Sequence, residues 1–229
     1  MKSCSLLLAL SIALIVPGCR NSEVDTKPAA EVTETSSTTV AGDPSASTTA
    51  ATSTEPTPGA PVARVIKEKS SIQWVGAKVT RDHKGSFKNF DGWIEYAGNQ
   101  PSRIGFEIDL TSIDSDTPDL TKHLKSPDFF DVAKYPKATF VSTSLTPAAA
   151  GAPNGQTHEL KGVLDLHGVK KEVTIPVKAE QTADGVRTTS EFTINRHDWG
   201  ISYKGVADDL IKDNVLIKLD LYFPPPPAA

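Results

Sequence analysis

The sequence predicts an all-β fold: eight antiparallel strands rolled into a barrel around an apolar interior, with one short helical insertion. Three observations predict it. From Ser70 onward apolar residues recur at every second position, the period of a strand with one buried face. Turn-forming residues separate the runs, as at Asn99-Gln100-Pro101, Pro153-Asn154-Gly155 and Asp184-Gly185. Both cysteines, Cys4 and Cys19, lie at the N-terminus, so burial and strand pairing alone must hold the folded part.

The clearest strand covers residues 102–110. Ile104, Phe106, Ile108 and Leu110 share one face, and Arg103, Glu107 and Asp109 the other. Near the end of the chain Val215, Ile217, Leu219, Leu221 and Phe223 form a row against Lys218 and Asp220. Residues 159–168 carry Leu160, Leu164 and Leu166 opposite Lys161, Asp165 and His167. Val173, Ile175 and Val177 form the next row, with Pro176 marking an edge or bulge. Phe192 and Ile194 belong to a strand over 186–195. Weaker alternation gives strands over 71–79, 87–96 and 138–145. His83-Lys84-Gly85 reads as a turn. The helical insertion begins at Asp116 or Thr117, carries Leu120 and Leu124 one turn apart, and stops before Ser126-Pro127. Phe129 and Phe130 follow it and are placed to plug one barrel end. Alternation alone does not separate a hollow barrel from a filled one or from a β-sandwich. The charged outer faces and short apolar rows disfavour a membrane-spanning barrel.

The N-terminus reads as an address. Lys2 precedes an uncharged apolar run over 5–16, the form of a secretory signal peptide ending at residue 18. Val16-Pro17-Gly18-Cys19 resembles a lipobox, which makes Cys19 the expected site of lipidation and of a membrane anchor. The alternative is an ordinary cleaved signal. Residues 20–61 hold ten Thr, six Ser, seven Ala and five Pro and no aromatic residue. Such a composition cannot bury enough apolar surface to offset chain entropy, so 19–61 reads as a disordered tether. The folded domain is expected over 62–223, followed by a Pro-rich tail over 224–229. The net charge of −4 gives no electrostatic footprint for nucleic acid.

The motif order resembles the YceI-like family of extracytoplasmic, lipocalin-like proteins. The matching residues are Gly85-Ser86-Phe87 with Phe90-Asp91-Gly92, then Ile108-Asp109-Leu110-Thr111-Ser112-Ile113. His123-Leu124-Lys125-Ser126-Pro127-Asp128-Phe129-Phe130-Asp131 and Tyr135-Pro136 with Phe140 come next. Leu160-Lys161-Gly162 through Leu166-His167-Gly168 and Asn195-Arg196-His197-Asp198-Trp199-Gly200 complete the series. Thr121-Lys122 stands where many members carry Arg-Asp. The resemblance implies an eight-stranded lipocalin-like barrel with an elongated apolar cavity. It also implies a polyisoprenoid lipid or isoprenoid quinone as ligand, and a place in the periplasm or cell envelope.

The expected cavity-lining residues are Phe87, Phe90, Ile94, Phe106, Ile108, Leu110, Leu120, Leu124, Phe129, Phe130, Phe140, Leu164, Phe192 and Ile194. For each the competing role is plain core packing. Trp199 follows a strand end and is expected at the barrel mouth. Arg196 either binds a polar head group or makes a fixed pair with Asp198 or a loop carbonyl. The five histidines show no metal-ligand spacing, and no nucleophile elbow, phosphate loop or paired-carboxylate motif is present. The expectation is therefore a non-enzymatic lipid carrier without cofactor, metal or catalytic residue, with a homodimer left open. The rival readings are an envelope interaction module with a filled barrel and an enzyme acting on a lipid in the cavity.

Overall fold

The computed structural model describes residues 22–34, 53–182, 184–206 and 209–227. The signal peptide and Cys19 lie outside the described residues. Among those described, thirteen strands form one curled sheet. They are β1 (Glu31–Glu34), β2 (Val62–Arg64), β3 (Ser71–Lys78), β4 (Asp82–Phe87), β5 (Phe90–Ala97), β6 (Gln100–Asp109) and β7 (Ile113–Ser115). After helix α1 (Pro118–Lys125) come β8 (Lys137–Pro147), β9 (His158–Leu166), β10 (Val169–Thr182), β11 (Gly185–Asn195), β12 (Gly205–Val206) and β13 (Asp209–Phe223). The strand order is β2-β5-β6-β8-β9-β10-β11-β13-β3-β4-β7, with β1 on β10 and β12 on β13. Every strand pair is antiparallel; a single parallel bridge joins Ala29 to Thr193. The path draws its far parts together where the Val65 amide donates to the Gly92 carbonyl and the Ile66 amide to the Tyr222 carbonyl.

The all-β class and the helical insertion are as expected, but the strand count is higher. The expected turn at His83-Lys84-Gly85 is part of β4. Gly85 faces Trp74 across the ladder, and its missing side chain lets the indole lie flat on the strand. A Cβ there would stand 2.5 Å from Trp74 Cζ2 and 2.0 Å from the Asp114 carbonyl. Helix α1 starts as the sequence implies, with Thr117 at the N-cap and Pro118 in the first turn.

Two parts of the expected tether belong to the fold. Residues 22–26 form a capped 3-10 turn, and Ser22 accepts from the Val24 amide while Asp25 accepts from the Ser22 amide. Val24 buries itself against Val75, Ala77 and Leu216 on the outer face of β3 and β13. Those outward residues are covered, so β3 shows no clean alternation in its sequence. Ion pairs secure the segment: Glu23 with Lys84 and Lys218, Asp25 with Lys212, Lys27 with Glu191, and Glu34 with Lys171. Residues 53–61 lie along β5 and β6. There Trp93 Nε1 donates to the Thr54 carbonyl at 3.0 Å, and Arg103 stacks on the Trp93 ring while pairing with buried Glu95. Composition averaged over the whole segment conceals these few anchoring residues.

Candidate functional site

The interior divides into a packed part and a hollow part. On β5 the inward row of Phe90, Ile94 and Tyr96 joins the core with Ala63 and Val65. Elsewhere the strands enclose a cavity of about 210 Å³ whose free wall is apolar. Its wall is built from ladder rows. Trp74 on β3, Ile217 on β13 and Phe192 on β11 stand in one row. Gly76, Val215 and Ile194 form the next row toward the end capped by α1, with His83 opposite Gly76. Phe106 and Ile108 of β6, Ala138 and Phe140 of β8, Leu160, Leu164 and Leu166 of β9, and Val173 and Ile175 of β10 complete the wall. Leu110, Leu120, Leu124, Phe129 and Phe130 cover the α1 end. Phe130 meets Phe87 edge-on at 6.4 Å between centroids. Phe129, His123 and Tyr203 form an aromatic cluster beside it.

Of the residues expected to line a cavity, Phe87, Phe106, Ile108, Leu110, Leu120, Leu124, Phe129, Phe130, Phe140, Leu164, Phe192, Ile194 and Arg196 do so. Phe90, Ile94 and Trp199 do not. Phe90 and Ile94 belong to the part of the core that β2 and Val65 fill. Trp199 stands at no open mouth: it is 0% exposed, and its Nε1 donates to the Leu164 carbonyl at 3.4 Å. The expected set lacks many lining residues, among them Ile72, Trp74, Ala138, Leu160, Leu166, Val173, Ile175, Val215 and Ile217. Each lies on an inward row next to a residue that was named, so the row as a whole carried the signal.

The polar groups on the wall are already engaged. Arg196 is 4% exposed and donates to the carbonyls of Ile201 at 2.8 Å, Lys212 at 3.2 Å and Ile211 at 3.5 Å. Burial pushes its guanidinium below the ordinary value, and Asp213, at 3.7 Å, opposes that shift. Of the two fixed roles expected for Arg196, a pair with Asp198 or a bond to a loop carbonyl, the carbonyl bonds are the ones formed. His83 Nδ1 lies 2.9 Å from Asp116 Oδ1. The exception is Trp74 Nε1, which is buried and makes no hydrogen bond. Among the described residues no three His, Cys, Asp or Glu side chains are grouped to hold a metal ion.

A barrel of this topology, with a helix between β7 and β8 and an apolar cavity beneath it, can be set beside known proteins. A family model described as a YceI-like domain matches residues 64–223. The chain belongs to the YceI-like family. Protein YceI of Escherichia coli O157:H7 and of Shigella flexneri is 38% identical over 96 residues, 41% of this chain and 47% of the relative. The chain therefore spans about half the length of these curated relatives. Among solved structures, BcnA of Burkholderia cenocepacia superposes with a TM-score of 0.61 at 25% identity, over 69% of this chain and 98% of that one. A polyisoprenoid binding domain from Saccharophagus degradans, implicated in plant cell wall breakdown, gives 0.58 at 18% identity, over 73% and 99%. At that identity the second likeness shows the fold alone.

Proposed function

We propose that this YceI-like domain binds an isoprenoid-type lipid inside the barrel, without catalysis, and carries or stores it in the cell envelope. The observation that carries the reading is the apolar cavity of about 210 Å³ between the strands. An apolar cavity near 150 Å³ admits a benzene-sized molecule and excludes water. This one admits a ring-sized apolar group as it stands, and a longer chain requires the walls to part. Each methylene removed from water contributes on the order of 0.8 kcal/mol, so affinity follows chain length. The polyisoprenoid binding domain of similar fold agrees with a lipid of that class. The engagement of Arg196 by backbone carbonyls supports binding over catalysis. A filled interaction module predicts no cavity and is disfavoured by this one. A lipid anchor at Cys19 would keep the domain beside its source of lipid.

Native mass spectrometry after mild purification tests the reading. The expected result is a bound mass of isoprenoid type, replaced by an added polyprenol. A barrel that stays empty in the presence of polyprenols overturns it.

A further inference from the structure

We infer that residues 28–34 are a removable stave in the barrel wall, and that the slot they fill is the lateral portal by which an apolar chain reaches the cavity. This rests on the lipid-binding reading above.

The slot arises from the way β10 and β11 part. They pair directly only from Lys178 opposite Thr189 to Thr182 opposite Gly185. Two residues further on, Pro176 has no N–H to offer, and the Ser190 hydroxyl takes its carbonyl. Beyond that point the strands diverge, and the N-terminal segment lies between them. Residues 31–34 pair antiparallel with Thr174 to Lys171 of β10. On the other side the Thr193 amide donates to the Pro28 carbonyl, and the Ala30 amide donates to the Thr193 carbonyl. After β11, Trp199 ties that strand's end to β9, bonded to the Leu164 carbonyl and, through its own carbonyl, to His167 Nδ1 at 3.1 Å.

The slot lies between two strands that line the cavity. Val173 and Ile175 line the cavity from β10, and Phe192 and Ile194 from β11. Ala30 and Val32 are the stave's core-facing side chains, and Val32 stands opposite Val173. Two small side chains bury little apolar surface. The remaining hold is a four-residue ladder, the Thr193 bonds and the pairs Lys27–Glu191 and Lys171–Glu34, whose glutamates are exposed. Surface pairs contribute little and weaken with salt. By contrast β11 pairs with β13 over its length from Val186 to Asn195. The stave is thus held more weakly than β11 beside it, while α1, Phe129 and Phe130 cover the barrel end. A chain longer than the cavity can enter by displacing residues 28–34 without unfolding α1.

A reversible cross-link tests this. Thr33 and Glu172 are directly opposite in the ladder. The double variant Thr33→Cys/Glu172→Cys of the full chain is oxidised, and the linked peptide is verified by mass. Exchange of undecaprenol with phosphatidylcholine vesicles is then timed. We expect exchange at least about tenfold slower in the oxidised form, restored by reductant, as for a step gated by local opening. Equal rates in both forms overturn the portal and leave lipid binding intact. No uptake in either form overturns both. A second measurement needs no lipid: the amides of Ala30 and Thr193 should exchange with deuterium faster than the amides bonded between β11 and β13. Equal protection overturns the stave.

Discussion

The Arg196 guanidinium donates to the Ile201 carbonyl at 2.8 Å and so ties the turn after β11 to the loop that follows it. The same group reaches the Lys212 and Ile211 carbonyls at the start of β13. Its role is to satisfy buried carbonyls at the α1 end of the barrel. Arg196→Ala leaves them without a donor, a loss of about 2–3 kcal/mol. For a domain of this size that lowers Tm by roughly 5–10 °C. Arg196→Lys should rescue little, because an ammonium cannot span three carbonyls in the plane of the guanidinium fork. Polyprenol affinity of the folded variant should stay near the parent value. Loss of affinity with unchanged Tm would instead place Arg196 on a lipid head group.

Two tryptophans form a natural contrast. Trp93 Nε1 donates to the Thr54 carbonyl, whereas Trp74 Nε1 is buried without a partner. Substitution by Phe removes the same atoms from each. At Trp93 it also removes the bond to the Thr54 carbonyl and loosens residues 53–61; at Trp74 it removes an unsatisfied donor. Denaturant unfolding should show Trp93→Phe as the costlier change by about 1 kcal/mol or more. Equal losses would mean that the Trp74 indole N–H finds a partner in solution.

The fold was legible where both faces of a strand differ. β6 and β9 alternate because one side meets the core and the other is mostly polar; β11 and β13 alternate on their inner rows although the N-terminal segment buries Thr193 and Leu216. β3 was blurred because Val75 and Ala77, on its outer side, are covered by Val24. β4 reads as a turn in sequence because Gly85 and its polar neighbours resemble one; the Trp74 ring and the Asp114 carbonyl against Gly85 explain that glycine. β1, β2, β7 and β12 have two to four residues each, too few to show a period. The cavity wall was legible as rows but not as a void, since Phe90 and Phe87 read alike in sequence. Only the packing of Ala63 and Val65 decides which part of the interior is solid.

Acid should release the N-terminal segment before it unfolds the barrel. The hydrogen bond from Lys218 holds the Glu23 carboxyl below its ordinary value, and that from Lys212 does the same for Asp25. A carboxylate lowered in the folded state stabilises it fully above the unfolded value and loses that contribution as pH falls through the folded value. Docking of residues 22–26 is therefore complete at neutral pH and weakens as pH drops below the ordinary carboxylate range. Methyl resonances of Val24 report it directly, since the side chain sits against Val75, Ala77 and Leu216. They should move toward unfolded positions on acidification while resonances of Leu221 and Phe223 hold. High salt at neutral pH should act in the same direction. Simultaneous loss of all these signals would show that the segment is no looser than the barrel.

Ala138 offers a way to remove the void without breaking the wall. It is buried on β8 opposite Ile108, and both line the cavity. Ala138→Leu adds three carbons where a packed core has no room, and overpacking then costs about 1–3 kcal/mol. Here the cavity of about 210 Å³ receives them. Strain is avoided and apolar surface is buried, so Tm should hold or rise slightly. The space lost is denied to the ligand. Displacing three methylene equivalents at roughly 0.8 kcal/mol each weakens binding of a polyprenol by about 2.4 kcal/mol, near 50-fold. Calorimetry on parent and variant gives both quantities. A stable variant with undiminished affinity would mean that the chain lies outside this cavity, whatever class of lipid it belongs to.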